Sequence, residues 1–261
     1  MDSYSKTPSF YNTDEAFKKY LAYTSYYVAL QNGVSKIVGL VKPKEILELG
    51  SGTGATAQRL AADNPFCNIV GVDMRSEMVE LGRQNALEMR LENVQYCLGE
   101  MVSYVRALDR LPELTILLYS FHHIEDPIQN KIDFLNNCKA KMPDGGLLCI
   151  AETFLPEFSD TISHDVVIRK LWANRMYEAY STTFWASLEG LEKEDIKRAK
   201  NIGCYSKNNE CEAGNLVLKR ENEYLVRLSD LQQFAKDVGL EVVLAEPCNS
   251  LNEYIVLLSK E

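Results

Sequence analysis

Nothing in the 261 residues is long and apolar enough to cross a bilayer: runs such as Leu114 to Leu118 and Leu147 to Ala151 fall far short of the ~20 residues a spanning helix needs. The opening Met1-Asp2-Ser3-Tyr4-Ser5-Lys6 also lacks the apolar run of a signal peptide, so a cytoplasmic location and no membrane partner are expected. Positive charge is in short supply. The 28 basic side chains against 37 acidic ones give a net −9, which repels phosphate backbones and excludes general nucleic-acid binding. Paired cysteines are missing as well. The seven cysteines, at 67, 97, 138, 149, 204, 211 and 248, are odd in number and contain no C-x-x-C, which reads as reduced thiols. Cys204 and Cys211 have no histidine or second pair beside them, so no metal site is expected. With 14 Gly and 8 Pro, collagen-like and disordered chains are excluded too.

What is present is a periodic pattern. Thr13 to Val41 carries apolar residues at helical spacing (Phe17, Leu21, Val28, Val34, Val38) and reads as one or two helices, with Gly33 as the candidate break. From Glu45, short apolar runs alternate with amphipathic stretches: strands at 45–49, 69–73, 94–98, 114–120 and 147–152, helices near 54–63, 76–90, 101–108 and 127–141. Pro127 suits a first helical turn, and Asp144-Gly145-Gly146 a turn before the fifth strand. Five β-then-α units in series imply a doubly wound, mostly parallel sheet. The alternation stops after Glu152, where 161–199 reads as helix and 201–215 as polar loop. It resumes with a helix capped by Ser229 and stopped by Gly239, then strands at 240–245 and 254–259 joined as an antiparallel hairpin. The expected fold is therefore α/β: a seven-stranded sheet with its last strand antiparallel, N-terminal helices over 1–43, a core over 44–152 and 229–261, and a helical cap inserted at 153–228.

The chemical signal is Ile46-Leu47-Glu48-Leu49-Gly50-Ser51-Gly52-Thr53-Gly54, a strand running into a glycine turn and then a helix. Glycine permits sharp turns and a close approach of backbone to ligand. Asp73 ends the second strand 23 residues after Gly50, near the spacing at which a carboxylate meets ribose hydroxyls. That combination points to a nucleoside-containing cofactor. Gly50-x-Gly52-x-x-Ala55 also satisfies the dinucleotide fingerprint, so charge decides between cofactors. A pyrophosphate favours a helix N-terminus without nearby anions, whereas Glu48, Asp73 and Glu100 surround this cleft. Three carboxylates suit a sulfonium and an ammonium, as in S-adenosylmethionine.

Over 44–152 and 229–259 the sequence resembles the class I S-adenosylmethionine-dependent methyltransferases. The resemblance implies that Gly50, Ser51, Gly52 and Gly54 line the methionine part of the cofactor while Glu48 orients the turn and the ammonium. It further implies that Asp73 accepts the ribose hydroxyls, Met74 packs on adenine, Glu100 and Met101 meet the adenine edge, and Ser120 and Phe121 contact the methionine end by backbone. The segment Ser120-Phe121-His122-His123-Ile124-Glu125-Asp126-Pro127 is similar to the paired-histidine segment of small-molecule methyltransferases, and differs from the Asn/Asp-Pro-Pro-Tyr/Phe segment of enzymes that methylate amide or base nitrogens. On an extended chain His122 and His123 face opposite ways, so one of them is expected in the cleft. His122, His123 and Glu152 are the candidate catalytic groups.

Six of the 14 tyrosines precede residue 28, and aromatic residues crowd the insertion. In the resembled family these regions build the acceptor pocket, which nominates Tyr20, Tyr23, Phe154, Arg169, Trp172, Tyr177 and Tyr180 as substrate contacts. The expected function is methyl transfer to an O or N atom of a small organic molecule or short peptide, with homodimerisation left open. The alternatives are a protein or RNA methyltransferase and a non-enzymatic cofactor-binding regulatory module. A nicotinamide-dependent oxidoreductase ranks third, opposed by Glu48.

Overall fold

A computed structural model describes residues 25–125, 128–154, 225–248 and 253–260. In chain order the elements are α1 (Ser25–Val41), β1 (Glu45–Leu49), α2 (Ala55–Asp63), β2 (Asn68–Asp73), α3 (Ser76–Glu88), β3 (Val94–Leu98), α4 (Met101–Ala107), β4 (Leu114–Leu118), α5 (Gln129–Lys141), β5 (Leu147–Thr153), α6 (Leu228–Asp237), β6 (Leu240–Pro247) and β7 (Glu253–Lys260). The strands form one sheet in the order β3-β2-β1-β4-β5-β7-β6, in which β7 alone runs antiparallel to its neighbours. The seven-stranded α/β expectation therefore holds for the described residues. Expectations on 1–24 and 155–224 lie outside them, as do Asp126 and Pro127.

The central strands are mostly apolar because both faces of the sheet are covered. All five residues of β4 are buried. Its alternate side chains point to two cores: Leu117 joins the one under α4, α5 and α6, while Leu114, Ile116 and Leu118 join the one under α1, α2 and α3. The outermost strand β6 behaves as an edge. Its register against β7 slips between Val242 and Leu244, leaving Val243 exposed. Among the described residues no helix is long and apolar enough to cross a membrane.

Three local expectations are corrected. Helix α1 runs unbroken through Gly33, whose absent side chain lets the helix settle onto β7: a Cβ there would collide with Ile255. Strand β4 stops at Leu118 instead of residue 120, because Tyr119 takes a positive φ of 54° and turns the chain out of the sheet. Helix α6 begins at Leu228, so Ser229 lies inside it. The N-terminus is held instead by Asp230, whose carboxylate accepts from the Arg227 backbone N–H at 3.0 Å and from the Arg227 guanidinium. The other end of α6 is as expected, with Gly239 at φ 70°.

Candidate functional site

The glycine turn after β1 is built from left-handed backbone, with φ of 75°, 54° and 79° at Gly50, Gly52 and Gly54. Two N–H groups, of Gly50 and Ser51, donate to the Val72 carbonyl at 2.8 and 2.9 Å and fold the turn back against β2. Asp73, at the end of β2, completes the clamp: one carboxylate oxygen accepts from Gly52 N at 2.8 Å and the other from Arg75 N at 3.0 Å. Burial pushes the Asp73 carboxyl above its ordinary range, and those two bonds with the Arg75 charge oppose the shift. The two outer glycines are needed for packing. A Cβ on Gly50 would lie 2.5 Å from that of Ser120, and one on Gly54 would overlap Tyr96. Gly52 differs, since a Cβ there would meet nothing within 4 Å. Its backbone therefore faces open space.

Glu48 lies beneath this turn with 2% of its surface exposed. Burial raises its carboxyl to about 8, a backbone bond from Ala57 opposes this, and the Asp73 charge adds to it. Its Oε2 is buried without a hydrogen-bond partner, as is the Oγ of Ser51. An unsatisfied buried carboxylate oxygen is costly. A cationic donor entering over the turn would relieve that cost. Tyr27 of α1 stands close by, with its phenol 3.3 Å from Thr56 Oγ1 and pushed up to about 12, first by burial and then by the Glu48 charge.

The turn is joined to the segment after β4 through Ser120, whose hydroxyl donates to the Leu49 carbonyl at 2.7 Å. Phe121 is buried, with its ring 6.4 Å from that of Phe134. The buried Lys131 bonds the Ile124 carbonyl, with its ammonium 5.5 Å from the Phe121 ring centre, so it braces the segment from below. Phe121–His123 forms one 3-10 turn and is not extended chain. The histidine rings consequently do not face apart but lie 4.1 Å from each other, tilted by 51°. His122, 6% exposed, has Nδ1 2.8 Å from Glu152 Oε2, and its backbone N–H donates to the same oxygen at 3.3 Å. Thr153 N donates to the other Glu152 oxygen at 2.9 Å. A carboxylate only accepts, so Nδ1 carries a proton, and in the neutral imidazole Nε2 is then the basic nitrogen.

The remaining expected site residues are placed as follows. Glu100 sits at the start of α4, where its two oxygens accept from Val102 N and Ser103 N at 2.7 and 2.8 Å. That caps the helix. Met74 is exposed after β2, and half-buried Met101 brings its methyl carbon within 3.7 Å of where a Gly50 Cβ would stand. Phe154 is fully buried, edge-on to Tyr254 at 6.1 Å. Tyr20, Tyr23, Arg169, Trp172, Tyr177 and Tyr180 lie outside the described residues, as do Cys204 and Cys211. Sequence reasoning missed Tyr27, Tyr119, Thr153 and Glu253, which pack in a row beside His122. The signal for Glu253 was an acid at the mouth of an apolar strand, a position normally read as loop.

Residues 40–153 match the family model described as a methyltransferase domain. The release factor glutamine methyltransferase of Vibrio cholerae is 42% identical over 59 residues, which are 23% of this chain and 21% of that protein. The chain thus spans about a fifth of the length of that relative. The demethylmenaquinone methyltransferase of Thermotoga maritima is 24% identical over 166 residues, 62% of each chain. Among solved structures, a mitomycin 7-O-methyltransferase superposes with a TM-score of 0.57 at 12% identity, covering 90% of this chain and 55% of that one. At that identity the likeness speaks for the fold.

Proposed function

We propose that this chain, whose residues 40–153 match the methyltransferase-domain model and whose sheet has the order β3-β2-β1-β4-β5-β7-β6, is a class I methyltransferase that binds S-adenosylmethionine and transfers its methyl group to an O or N atom of a small organic molecule. The residues present fit that cofactor. Glu48 offers a buried, unpartnered carboxylate oxygen to the ammonium, Gly52 leaves backbone open to the methionine part, and Asp73 keeps lone pairs for ribose hydroxyls. The bound cofactor supplies the electrophilic methyl and its own leaving group. The protein's part is orientation, exclusion of water and removal of a proton.

The observation that carries the acceptor reading is the His122–Glu152 pair at 2.8 Å. Glu152 holds the imidazole in the tautomer whose Nε2 accepts a proton, and Ser120 fixes the pair's turn against the glycine turn. A hydroxyl or protonated amine is deprotonated by such a base as the methyl arrives. Similarity to release factor glutamine methyltransferases favours a second reading, a protein acceptor. Against it, Ser120-Phe121-His122-His123 occupies the place of the Asn/Asp-Pro-Pro-Tyr/Phe segment associated with amide nitrogens.

Incubating the purified protein with methyl-labelled S-adenosylmethionine and a fractionated cell extract tests both readings. Label is expected in the small-molecule fraction and to vanish with His122→Gln. Label confined to protein or RNA would replace the small-molecule reading, and no label in any fraction would remove the enzyme reading.

A further inference from the structure

Helix α2 opens on a left-handed glycine, Gly54 at φ 79°, which carries no side chain to cap the first turn. A helix start without a cap of its own needs another hold. Two side chains from the sheet below supply it. Glu48 accepts from the Ala57 backbone N–H, and the hydroxyl of buried Tyr96, on β3, donates to the Gly54 carbonyl at 3.2 Å. A carbonyl only accepts, so the direction of the second bond is fixed. Burial, followed by the Glu48 charge, pushes the Tyr96 phenol up and keeps its proton in place.

Glycines open the path for that reach. Glu48, Gly71 and Tyr96 stand in register on β1, β2 and β3 and so share one face of the sheet. The Tyr96 ring occupies the space over Gly71, where a Cβ would lie 2.9 Å from ring carbons Cδ1 and Cε1. Gly82 of α3 receives the ring from another side, with a Cβ there 2.9 Å from Cδ1, and a Cβ on Gly54 would overlap it. Phenylalanine would fill the same socket. It would bring no donor to Gly54.

What the bond holds is the turn that faces the cleft. Gly54 N donates to the Ser51 carbonyl at 2.9 Å, closing 51–54 as a turn with Gly52 and Thr53 in its middle. One end is tied to β2 by Ser51 N on the Val72 carbonyl and by Gly52 N on Asp73; the other end is tied to β3 by Tyr96. Between the two ties lies Gly52, whose missing side chain leaves open space. Fixing such a turn in advance lowers the ordering cost of binding.

We propose that Tyr96 is a positioning residue for the cofactor, acting through Gly54 to hold the 51–54 turn in its binding geometry before the ligand arrives. The proposal rests on the S-adenosylmethionine reading above.

The test compares the full chain with Tyr96→Phe. Gly54 keeps its bond from Gln58 N at 2.8 Å in the variant, so no carbonyl is orphaned and the chain is expected to fold. Calorimetric affinity for S-adenosylhomocysteine should fall about 3- to 10-fold, the range of one neutral hydrogen bond. In ¹⁵N-glycine-labelled protein the Gly54 amide should exchange with solvent at least about threefold faster in the free variant, and match wild type once both are saturated with S-adenosylhomocysteine. Leu258→Val, in the core on the opposite face of the sheet, serves as a destabilised control and should keep affinity within about twofold of wild type. The proposal is overturned if Tyr96→Phe binds like wild type, if it loses no more affinity than Leu258→Val, or if Gly54 exchange in the free variant is unchanged. Failure of wild type to bind S-adenosylhomocysteine would instead overturn the underlying reading.

Discussion

If Glu48 receives the cofactor's ammonium as proposed, binding is a proton-coupled event. In the free protein its carboxyl is raised to about 8, chiefly by burial. One unit below that value, at pH 7, about nine-tenths of the molecules carry the proton. An ammonium seated against Oε2 favours the charged form of the acid, so binding at pH 7 should release close to one proton. Log affinity then rises by nearly one per pH unit between about 6 and 7, roughly tenfold. It levels near 8, where the amino group of an amino-acid ligand begins to lose its own charge. Titration calorimetry of S-adenosylhomocysteine in phosphate and in Tris reads the released proton directly, because the two buffers differ in ionisation enthalpy. In Glu48→Gln the release should disappear and the pH slope flatten. At pH 8 affinity should fall by about 1.5–3 kcal/mol, the scale of a hydrogen bond to a charged group, or about 10- to 150-fold.

The same group reverses sign in stability. Its carboxyl is raised from 4.5 in the open chain to about 8 in the folded one, so the folded state holds the proton more tightly. The stabilisation this gives is full below about 4.5 and is lost as pH climbs towards 8. Glu48→Gln should therefore melt several degrees higher than wild type at pH 8 and show a smaller gain at pH 5, at about 2–4 °C per kcal/mol for a chain this size. Buffer-independent binding heats together with an unaltered affinity in Glu48→Gln would refute the reasoning.

Gly52→Ala should fold, losing about 1–2 kcal/mol to its left-handed backbone, yet bind S-adenosylhomocysteine at least about tenfold more weakly because its methyl enters the open space of the turn; equal affinity in calorimetry would place the ligand elsewhere. His122→Gln should lower kcat about 10²- to 10⁴-fold with S-adenosylhomocysteine affinity nearly unchanged, and His123→Gln should keep most turnover. If the two variants turn over equally in stopped assays with labelled cofactor, the base assignment fails. Gly33→Ala should cost about 1–3 kcal/mol by overpacking α1 against Ile255, read as a lower denaturation midpoint at unchanged slope; a neutral result would mean that α1 shifts freely on β7.

The fold was legible because its signals are local and repeated. An apolar strand, a glycine turn and an amphipathic helix each declare themselves within about ten residues, and the sheet order follows from right-handed crossovers. The glycine turn, Glu48 and Asp73 were legible for the same reason. The errors arose where one residue answers to something distant in the chain. Gly33 reads as a helix breaker until Ile255, more than 200 residues later, is seen to occupy the missing side chain's place. Periodicity extended β4 two residues too far because Tyr119 is a good strand former, and its left-handed turn is held by a partner on β7.

The histidine pair is the instructive case for function. Alternation along an extended chain separates neighbouring side chains, and that rule fails when three residues coil into a 3-10 turn. What selects between the two rings is then the carboxylate each can reach. Glu152 sits 30 positions away in sequence, brought alongside by the parallel pairing of β4 with β5. Glu253 reaches Tyr119 only through the antiparallel insertion of β7 beside β5. Sheet order therefore decides which aromatic group each buried carboxylate meets, and any change that shifts β5 or β7 by one register position would carry Glu152 or Glu253 to the opposite face and break that contact while leaving the glycine turn intact.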